Sequence, residues 1–335
     1  MSEELQPLAG RTVVDLSQQL PGPFATLLLR SLGARVIKVE PPGGDPAREI
    51  DPPMFARMTA DKEVRVLDLK SAEGRAELHE LVAAADVFFE GFRPGVAARL
   101  GADWETLSAL NPGLVYCSLS GYGSDGPLAA TPGHDINFLA LAGGLPDPAP
   151  PGEALIRVPW VDLAAGTNAA LAIVAALLER ERSGRGRRLD VAMLDAAAVW
   201  SAAKAPRPGA EGAYGVFATA DGERVAVAVL EEEMWRRLCA AFGWEEWLDD
   251  PDLADHEARR ASAERVTTRL REELAARPLD EIVALADRHD LGISRVNQPA
   301  EGAADPQLRA RDVYPDPEHW RPLGALAASL PWKHV

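Results

Sequence analysis

Cysteine is scarce in this chain of 335 residues, which contains only Cys117 and Cys239. Each lies in an apolar strand or helix pattern without metal-type spacing, so we expect two buried thiols and neither a disulfide nor a metal site. Long hydrophobic runs are also missing. The apolar stretches at 136–145 and 164–178 are too short, or too rich in Ala and Gly, for a membrane span, and the N-terminus is acidic, unlike a signal peptide. We expect a cytoplasmic protein without a membrane partner.

Positive charge is in deficit, with 35 Lys and Arg against 51 Asp and Glu and a formal net charge of −16. Such a field repels phosphate polyanions, which argues against a nucleic-acid partner and against anionic membranes. A small anionic ligand would need a local pocket of Arg or Lys. The 47% hydrophobic content still allows a substantial core, in one large domain or two.

Two common nucleotide and hydrolase motifs are absent, and a third is missing after the first predicted strand. No G-x-G-x-x-G follows the first predicted strand, and neither a P-loop nor a G-x-S-x-G elbow occurs. A standard dinucleotide or nucleoside-triphosphate site is therefore not expected. The PPGG turn at 41–44, beside Lys38 and Arg48, could hold a phosphate, but it is also typical of a surface turn between a strand and a helix.

What the first part of the chain does contain is a regular alternation of β and helical patterns. Short β-type runs at 12–16, 35–40, 64–69, 86–92 and 113–123 are separated by helical patterns, one of which begins after a plausible N-cap, Ser71. Such alternation is typical of βαβ units with a parallel sheet. We predict a doubly wound, Rossmann-like α/β domain.

The later part of the chain has a different character. A Pro- and Gly-rich segment at 144–160 predicts an exposed crossing loop, and an Asp-Gly pair at 221–222 between two β runs predicts a hairpin. Helical patterns follow at 232–242 and 260–289. The predicted domains are a large Rossmann-like domain, a linker, a smaller α+β domain, and a C-terminal tail that rejoins the first; their bounds are 1–202, 203–212, 213–310 and 311–335.

Candidate chemistry is concentrated in the stretch TPGHDINFLALAG at 131–143. It places His134, Asp135 and Asn137 after a Pro-Gly turn and before an apolar run, where a loop should lead into a buried helix. Asp162 stands at or near the N-cap of a second, long apolar helix pattern. Taken alone, a structural histidine and a simple helix cap are the more common explanations of His134 and Asp162.

Several segments in order resemble one family. The stretches LAGRTVVDLSQQLPGPFATLLLRSLGARVIKVEPPGGDP, ADVFFEGFRPGVAARLG and GRGRRLDVAMLDA are similar to the family III coenzyme A transferases, the CaiB/BaiF group. Within that group PGHDINFLALAGGL resembles the α-methylacyl-CoA racemase branch. The resemblance implies the CaiB/BaiF fold and an interlocked homodimer, in which the small domain of one chain completes the site of the other.

The resemblance also implies site residues. Asp162 matches the nucleophile of the transferases and one acid/base group of the racemases, His134 matches the second racemase base, and Glu231 matches a glutamate that orients this histidine. Lys38 and Arg93 match positions that contact the phosphates of CoA. Asp135 and Asn137 fit the racemase pattern as substrate-facing residues without a defined role.

These residue types suit proton transfer at a carbon next to a thioester. One group must remove the α-proton from one face while another returns a proton to the opposite face. A histidine, with an ordinary pKa near ~6.5, serves either direction at neutral pH, whereas an aspartate needs a pKa raised by burial. We expect backbone N–H groups at the start of the helix after Asp162 to stabilise the enolate oxygen.

The leading hypothesis is therefore a racemase or epimerase acting on a 2-methylacyl-CoA, with no cofactor beyond the CoA of the substrate. A CoA transferase that uses Asp162 as nucleophile is the alternative. A third hypothesis is a CoA-binding protein without turnover, because the segment at 196–218 is shorter than in the family and a usual N-R-x-K sequence is replaced by ADKEVR.

Overall fold

The computed structural model describes residues 6–145, 158–203 and 211–310. These residues form two compact units. The large unit comprises the described residues up to 203 together with those from 304, and the small unit comprises residues 211–303. Most of the expected linker, much of the expected crossing loop, and the tail at 311–335 lie outside the described residues.

Six parallel strands form the sheet of the large unit. They are β1 (Thr12–Asp15), β2 (Arg35–Glu40), β3 (Glu63–Val66), β4 (Val87–Glu90), β5 (Val115–Ser120) and β6 (Arg187–Ala192). Their order in the sheet is β3-β2-β1-β4-β5-β6, with every neighbouring pair parallel. Strand β2 is buried at five of its six positions, as expected for a parallel strand covered on both faces. The strand order reverses between β1 and β4, and ligands of such sheets bind at the carboxyl ends beside this point.

The helices of this unit cover both faces of the sheet. They are α1 (Pro21–Ser31), α2 (Ala47–Ile50), α3 (Pro52–Thr59), α4 (Ala72–Ala83), α5 (Val96–Arg99), α6 (Trp104–Leu110), α7 (Asp135–Leu141), α8 (Trp160–Ser183) and α9 (Met193–Ala202). Helices α1 and α8 pack with Val13, Val87 and Phe89 on one face. Helices α4 and α6 pack with Phe88 and Tyr116 on the other face.

Helix α8 is long and apolar enough to cross a membrane on length and composition, and half of its apolar window is buried inside the protein. It packs closely on α1, because a Cβ at Gly166 would stand 2.6 Å from the carbonyl oxygen of Pro21. This packing buries one face of α8, while Leu171 and Leu178 on the helix are exposed. Its first residue is Trp160 and Pro159 holds the N-cap, so Asp162 lies within the first turn.

The small unit is built on an antiparallel sheet of β7 (Tyr214–Ala218), β8 (Arg224–Ala228) and β9 (Ile293–Arg295). The hairpin expected at the Asp-Gly pair is confirmed: Gly222 has a φ of 81°, and the N–H of Thr219 donates to the carbonyl of Glu223 across the turn. Its helices are α10 (Glu232–Phe242), α11 (His256–Ala261), α12 (Ala263–Ala275) and α13 (Leu279–His289), with short 3-10 turns at Glu245–Trp247 and Pro251–Leu253.

One helical pattern is interrupted where we expected continuity. The stretch 260–289 spans the end of α11 and all of α12 and α13, with a break before Leu279. Pro278 occupies the N-cap of α13, where its missing N–H and restricted φ favour a new helix start over continuation. The described chain ends in α14 (Pro299–Ala304) and α15 (Pro306–Ala310). The predicted fold class, a Rossmann-like parallel sheet plus a smaller α+β part, is confirmed.

Candidate active site

A cavity of about 360 Å³ opens at the carboxyl ends of β1, β4 and β5 in the large unit. Its walls come from the loops that follow these strands, from the segment leading into α7, and from the first turn of α8. The lining includes Gln18, Gln19, Arg93, Ser120, His134, Phe138, Asp162 and Met193. The cavity therefore lies where the strand order places ligand sites in this class of sheet.

His134 is held at the N-cap of α7 and is exposed. The Oδ1 of Asn137 accepts a hydrogen bond from the His134 N–H at 3.0 Å, which fixes the backbone at the cap. Phe138 is fully buried beneath the preceding loop, and a Cβ at Gly133 would come within 2.8 Å of its ring. The Pro-Gly turn thus lets the loop close over Phe138 and leaves the imidazole at the cavity.

Asp162 reaches the same cavity from the first turn of α8. Burial raises the pKa of its carboxyl to about 7, and the negative charge of Asp135 adds to the increase. Among the residues the structure describes, no cation forms an ion pair with Asp162. A carboxyl with this pKa is present in both protonation states near neutral pH.

Asp135 and Asn137 differ from their expected role as substrate-facing residues. Neither lines the cavity. Oδ1 of Asp135 accepts the N–H groups of Val161 at 2.7 Å and of Asp162 at 3.0 Å. These two N–H groups at the start of α8 are therefore already satisfied, and our expectation that they stabilise an enolate oxygen is corrected by this contact.

Arg93 lines the cavity, is exposed, and lies in the loop after β4. The loop is anchored by Glu90, whose Oε2 accepts the N–H of Phe92 at 2.6 Å. Burial raises the pKa of Glu90 to about 7, although the hydrogen bonds from Phe92 and Tyr116 favour its charged form. The Arg93 guanidinium is thus presented to the cavity by a loop whose backbone is fixed.

Lys38 does not line the cavity, unlike Arg93. Its side chain is fully buried, and its Nζ donates to the carbonyl of Ser17 at 2.8 Å and to Oδ2 of Asp45 at 3.0 Å. A direct contact between Lys38 and CoA would require this buried ion pair to open. In the structure Lys38 supports the loop after β1.

A second buried ion pair lies beneath the same loop. The carboxylate of Asp15 accepts the N–H and hydroxyl of Ser17 and the hydroxyl of Thr26, and it pairs with Nζ of Lys62 at 3.4 Å. Burial alone would raise the pKa of Asp15, but Lys62 and Lys38 together with these hydrogen bonds hold it below its ordinary value. Burial lowers the pKa of Lys62 to about 8 despite the attraction of Asp15.

The residue at the end of this network is Gln19, which lines the cavity with a φ of 64°. A non-glycine residue in this left-handed region is strained and persists where its surroundings fix it. Here the carboxylate of Asp45 accepts the Gln19 N–H at 3.1 Å. Gln18 and Gln19 were not among the predicted site residues. Their position directly after the first strand of a doubly wound sheet is the signal that could have identified them.

A smaller cleft of about 120 Å³ shares Leu16, Gln18 and Phe92 with the cavity. Its other walls are mainly apolar and lie after β2 and β3, with Lys70 and Asp68 at its edge. Glu231 belongs to the small unit, where it is exposed at the N-cap of α10. Its hydrogen bond to His134 stays a prediction.

The structure thus brings together His134, Asp162 and Arg93 at one cavity. The side chains of Lys38, Asp135 and Asn137 instead form hydrogen bonds with other groups of the protein. Within the described ranges, no group of three or more His, Cys, Asp or Glu side chains could hold a metal ion.

Comparison with known proteins places this geometry in a family. The model of CoA-transferase family III matches residues 8–333. The acetyl-CoA:oxalate CoA-transferase of Acetobacter aceti is 35% identical over 92% of this chain and 85% of its own length. The human α-methylacyl-CoA racemase is 36% identical over 70% of this chain and 65% of its own length.

The fold comparison agrees. The crystal structure of a CaiB/BaiF family protein from Brucella suis matches with a TM-score of 0.78 and 31% identity, over 91% of this chain and 88% of that one. The curated relatives carry mostly CoA-transferase names. With the family model spanning both units and the Rossmann-like sheet in place, the chain belongs to the family III CoA-transferases, the CaiB/BaiF group, which includes transferases and racemases.

Proposed function

We propose that this protein is an acyl-CoA racemase or epimerase that inverts the α-carbon of a 2-methylacyl-CoA through an enolate. The observation that carries the proposal is that His134 and Asp162 line one cavity while the pKa of Asp162 is raised to about 7. A two-base inversion needs a group that can both donate and accept a proton at the operating pH. A carboxylic acid that is half protonated near pH 7 meets this requirement. A nucleophile, in contrast, would need to be fully ionised at that pH.

In one direction, the neutral imidazole of His134 removes the α-proton, and the electron pair of the C–H bond moves into the enolate. The protonated carboxyl of Asp162 then delivers a proton to the opposite face of the carbon, which leaves an imidazolium and a carboxylate. The reverse direction exchanges the two roles. The reaction moves protons only, so we propose that it needs no cofactor besides the CoA of the substrate. We also propose a cytoplasmic location.

The developing enolate oxygen needs hydrogen-bond donors. The N–H groups of Val161 and Asp162 are bonded to Asp135. We assign the oxygen instead to polar side chains that line the cavity, where the Gln19 amide and the Ser120 hydroxyl can each donate.

The CoA portion would extend from the cavity along the carboxyl edge of the sheet. Arg93 offers a guanidinium for a phosphate group, since arginine binds phosphate with two parallel hydrogen bonds. The apolar cleft beside Phe92 and Leu69 suits a flat base such as adenine, with Lys70 at its edge.

The decisive test is deuterium exchange at the α-carbon. Each enantiomer of a 2-methylacyl-CoA is incubated separately with the protein in deuterium oxide. The wild type should exchange and invert both enantiomers. His134→Ala should still exchange the enantiomer whose proton faces Asp162, without inversion, and His79→Gln, which alters a histidine outside the cavity, should behave like wild type. Absence of exchange in the wild type with either enantiomer would refute the racemase proposal.

A CoA transferase is the second candidate, favoured by the names of the related proteins. In that reaction the Asp162 carboxylate would attack the thioester carbonyl and release CoA as a thiolate, forming an acyl-aspartyl anhydride. Trapping with hydroxylamine should then label Asp162 in wild type and in His134→Ala, and not in Asp162→Asn. Measurable CoA affinity with neither exchange nor a trapped adduct would indicate a CoA-binding protein without turnover.

We also propose an interlocked homodimer in which Glu231 of one chain orients His134 of the other. Light scattering should report a dimer. Co-expression of His134→Ala with Glu231→Ala tests the arrangement further. If the site is shared, a mixed dimer holds one site with both residues intact, so activity returns, whereas a site within one chain would give no recovery.

A further inference from the structure

We propose that Asp135 is a positioning residue for Asp162: its carboxylate caps α8 and holds the Asp162 side chain in fixed register with the His134 loop. This inference rests on the proposed proton-transfer role of Asp162. In this role the side chain of Asp135 contacts the backbone of α8 and not the substrate.

The geometry of the cap carries the proposal. Asp135 is the first residue of α7 and directly follows His134. Its Oδ1 accepts two consecutive N–H groups from the first turn of α8, those of Val161 and Asp162, at 2.7 and 3.0 Å. The side chain therefore bridges residues 26 and 27 positions apart in the sequence. One carboxylate joins the backbone that presents the imidazole to the backbone that presents the carboxyl.

The two helices also share a small apolar core, which keeps this bridge short. Phe138 of α7 and Val161 of α8 are buried together with Ala197 of α9. An acceptor that bonds the first free N–H groups of a helix stabilises that end, and a negative charge there complements the helix dipole. Because α8 begins at Trp160 with no cap of its own from a neighbouring side chain, Asp135 supplies it from another helix.

The charge of Asp135 has a second effect on Asp162. The titratable and charged groups beside Asp162 are His134 and Arg93, which line the same cavity, and Asp135 of α7; Asp195 of α9 is exposed and does not contribute to the pKa of Asp162. Burial is the largest cause of the raised pKa of Asp162, which is about 7, and the negative charge of Asp135 is the second cause. Two neighbouring carboxyl groups resist simultaneous ionisation, so removal of one charge should make the other more acidic.

Two substitutions at position 135 separate the cap from the charge. Asp135→Asn keeps an oxygen that can accept both N–H groups but removes the charge, and Asp135→Ala removes both. Asp103→Ala is the matched control, because Asp103 caps α6 through the N–H of Thr106 and lines neither the cavity nor the cleft. Asp162 is followed by carbon-13 NMR of labelled aspartate carboxyls, with its signal identified by its loss in Asp162→Asn.

Both Asp135 variants should lower the pKa of Asp162, and the Asp162-dependent limb of the pH–rate profile should move to lower pH. Only Asp135→Ala should also lower the Tm, as Asp103→Ala should, while Asp103→Ala leaves the Asp162 titration unchanged. An Asp162 titration that is the same in Asp135→Asn as in wild type would overturn the proposal, as would a Tm of Asp135→Ala equal to that of wild type. The NMR titration needs no turnover, so an inactive protein would refute the proposed function and leave this inference testable.

Discussion

The loop after β1 and the start of α8 border the same cavity, yet the aspartates at these two places have neighbours of opposite charge. Asp15 and Asp45 beneath the loop are each paired with a buried lysine, Lys62 and Lys38. At the start of α8, Asp162 has a second carboxylate, Asp135, for a neighbour and forms no ion pair with a cation of the described residues. The pKa of Asp15 is lowered and that of Asp162 is raised.

Burial cannot explain this difference, because it raises the pKa of both carboxyls. At Asp15 the lysines and hydroxyl donors together outweigh burial, whereas at Asp162 burial is unopposed and the like charge of Asp135 adds to it. The paired network bonds the Ser17 and Gln19 N–H groups and therefore fixes the shape of a cavity wall. The unpaired carboxyl is left able to exchange a proton. One cavity thus holds the same residue type in two environments, one that keeps the carboxyl ionised and one that raises its pKa to about 7.

The largest effect should follow from removing the carboxyl to which we assign proton transfer, that of Asp162. Asp162→Asn keeps the size of the side chain but cannot donate or accept a proton, so inversion, and α-deuterium exchange of the enantiomer whose proton faces Asp162, should fall by about 10²–10⁴-fold. Asp195→Asn, which alters an exposed aspartate of α9, is the control and should exchange at the wild-type rate. Undiminished inversion in Asp162→Asn would show that this carboxyl does not take part.

A comparably large effect, on stability instead of activity, should follow from breaking the paired network. Asp15→Ala leaves Lys62 buried without its counter-charge, which should cost about 3–5 kcal/mol in the free energy of unfolding. Asp15→Ala combined with Lys62→Met should recover much of this loss, because no buried charge is left unpaired. Urea unfolding measures both.

The exposed pair Glu179 and Arg187 provides the control for that experiment. Glu179→Ala should change the free energy of unfolding little, since solvent screens exposed pairs. A loss in Asp15→Ala as small as that in Glu179→Ala would contradict the assigned role of the buried network.

The sequence predicted the fold well because its signals are local. Ser71 does cap α4, accepting the N–H of Gly74, and the Asp-Gly pair does form the hairpin turn. Strand and helix periodicities are set by neighbours within a few residues, which the sequence contains. The break before Leu279 was missed because the helical pattern continues on both sides of Pro278.

The site was predicted only in part, for a physical reason. His134 and Asp162 each follow a turn or helix start that marks them. The partners of Lys38 and Asp135 are set by tertiary packing, and nothing in the pattern states that Asp135 bonds to a helix 26 residues away. A lysine inside the apolar run RVIKVE was a signal for a buried ion pair, because a strand covered on both faces gives its side chain no route to solvent.

The pH dependence of stability should reveal the raised pKa of Asp162. A carboxyl whose pKa is higher in the folded than in the unfolded state stabilises the fold at low pH, and that contribution is lost as pH rises from about 4 to about 7. The free energy of unfolding of wild type relative to Asp162→Asn should therefore fall across this window, by no more than about 1.4 kcal/mol per pH unit. A relative stability that is constant from pH 5 to 8 would mean that Asp162 titrates normally.

The smallest effect concerns the exposed cation at the cavity. Arg93→Gln should raise the KM for an acyl-CoA by about tenfold with little change in kcat, because a charged hydrogen bond to phosphate is worth about 1.5–3 kcal/mol and exposure to solvent reduces it. Arg99→Gln alters a nearby arginine of α5 outside both cavities and should leave KM unchanged. Added salt should weaken CoA binding more in wild type than in Arg93→Gln. Equal salt dependence in the two proteins would assign phosphate binding to another residue and leave Arg93 as part of the cavity wall.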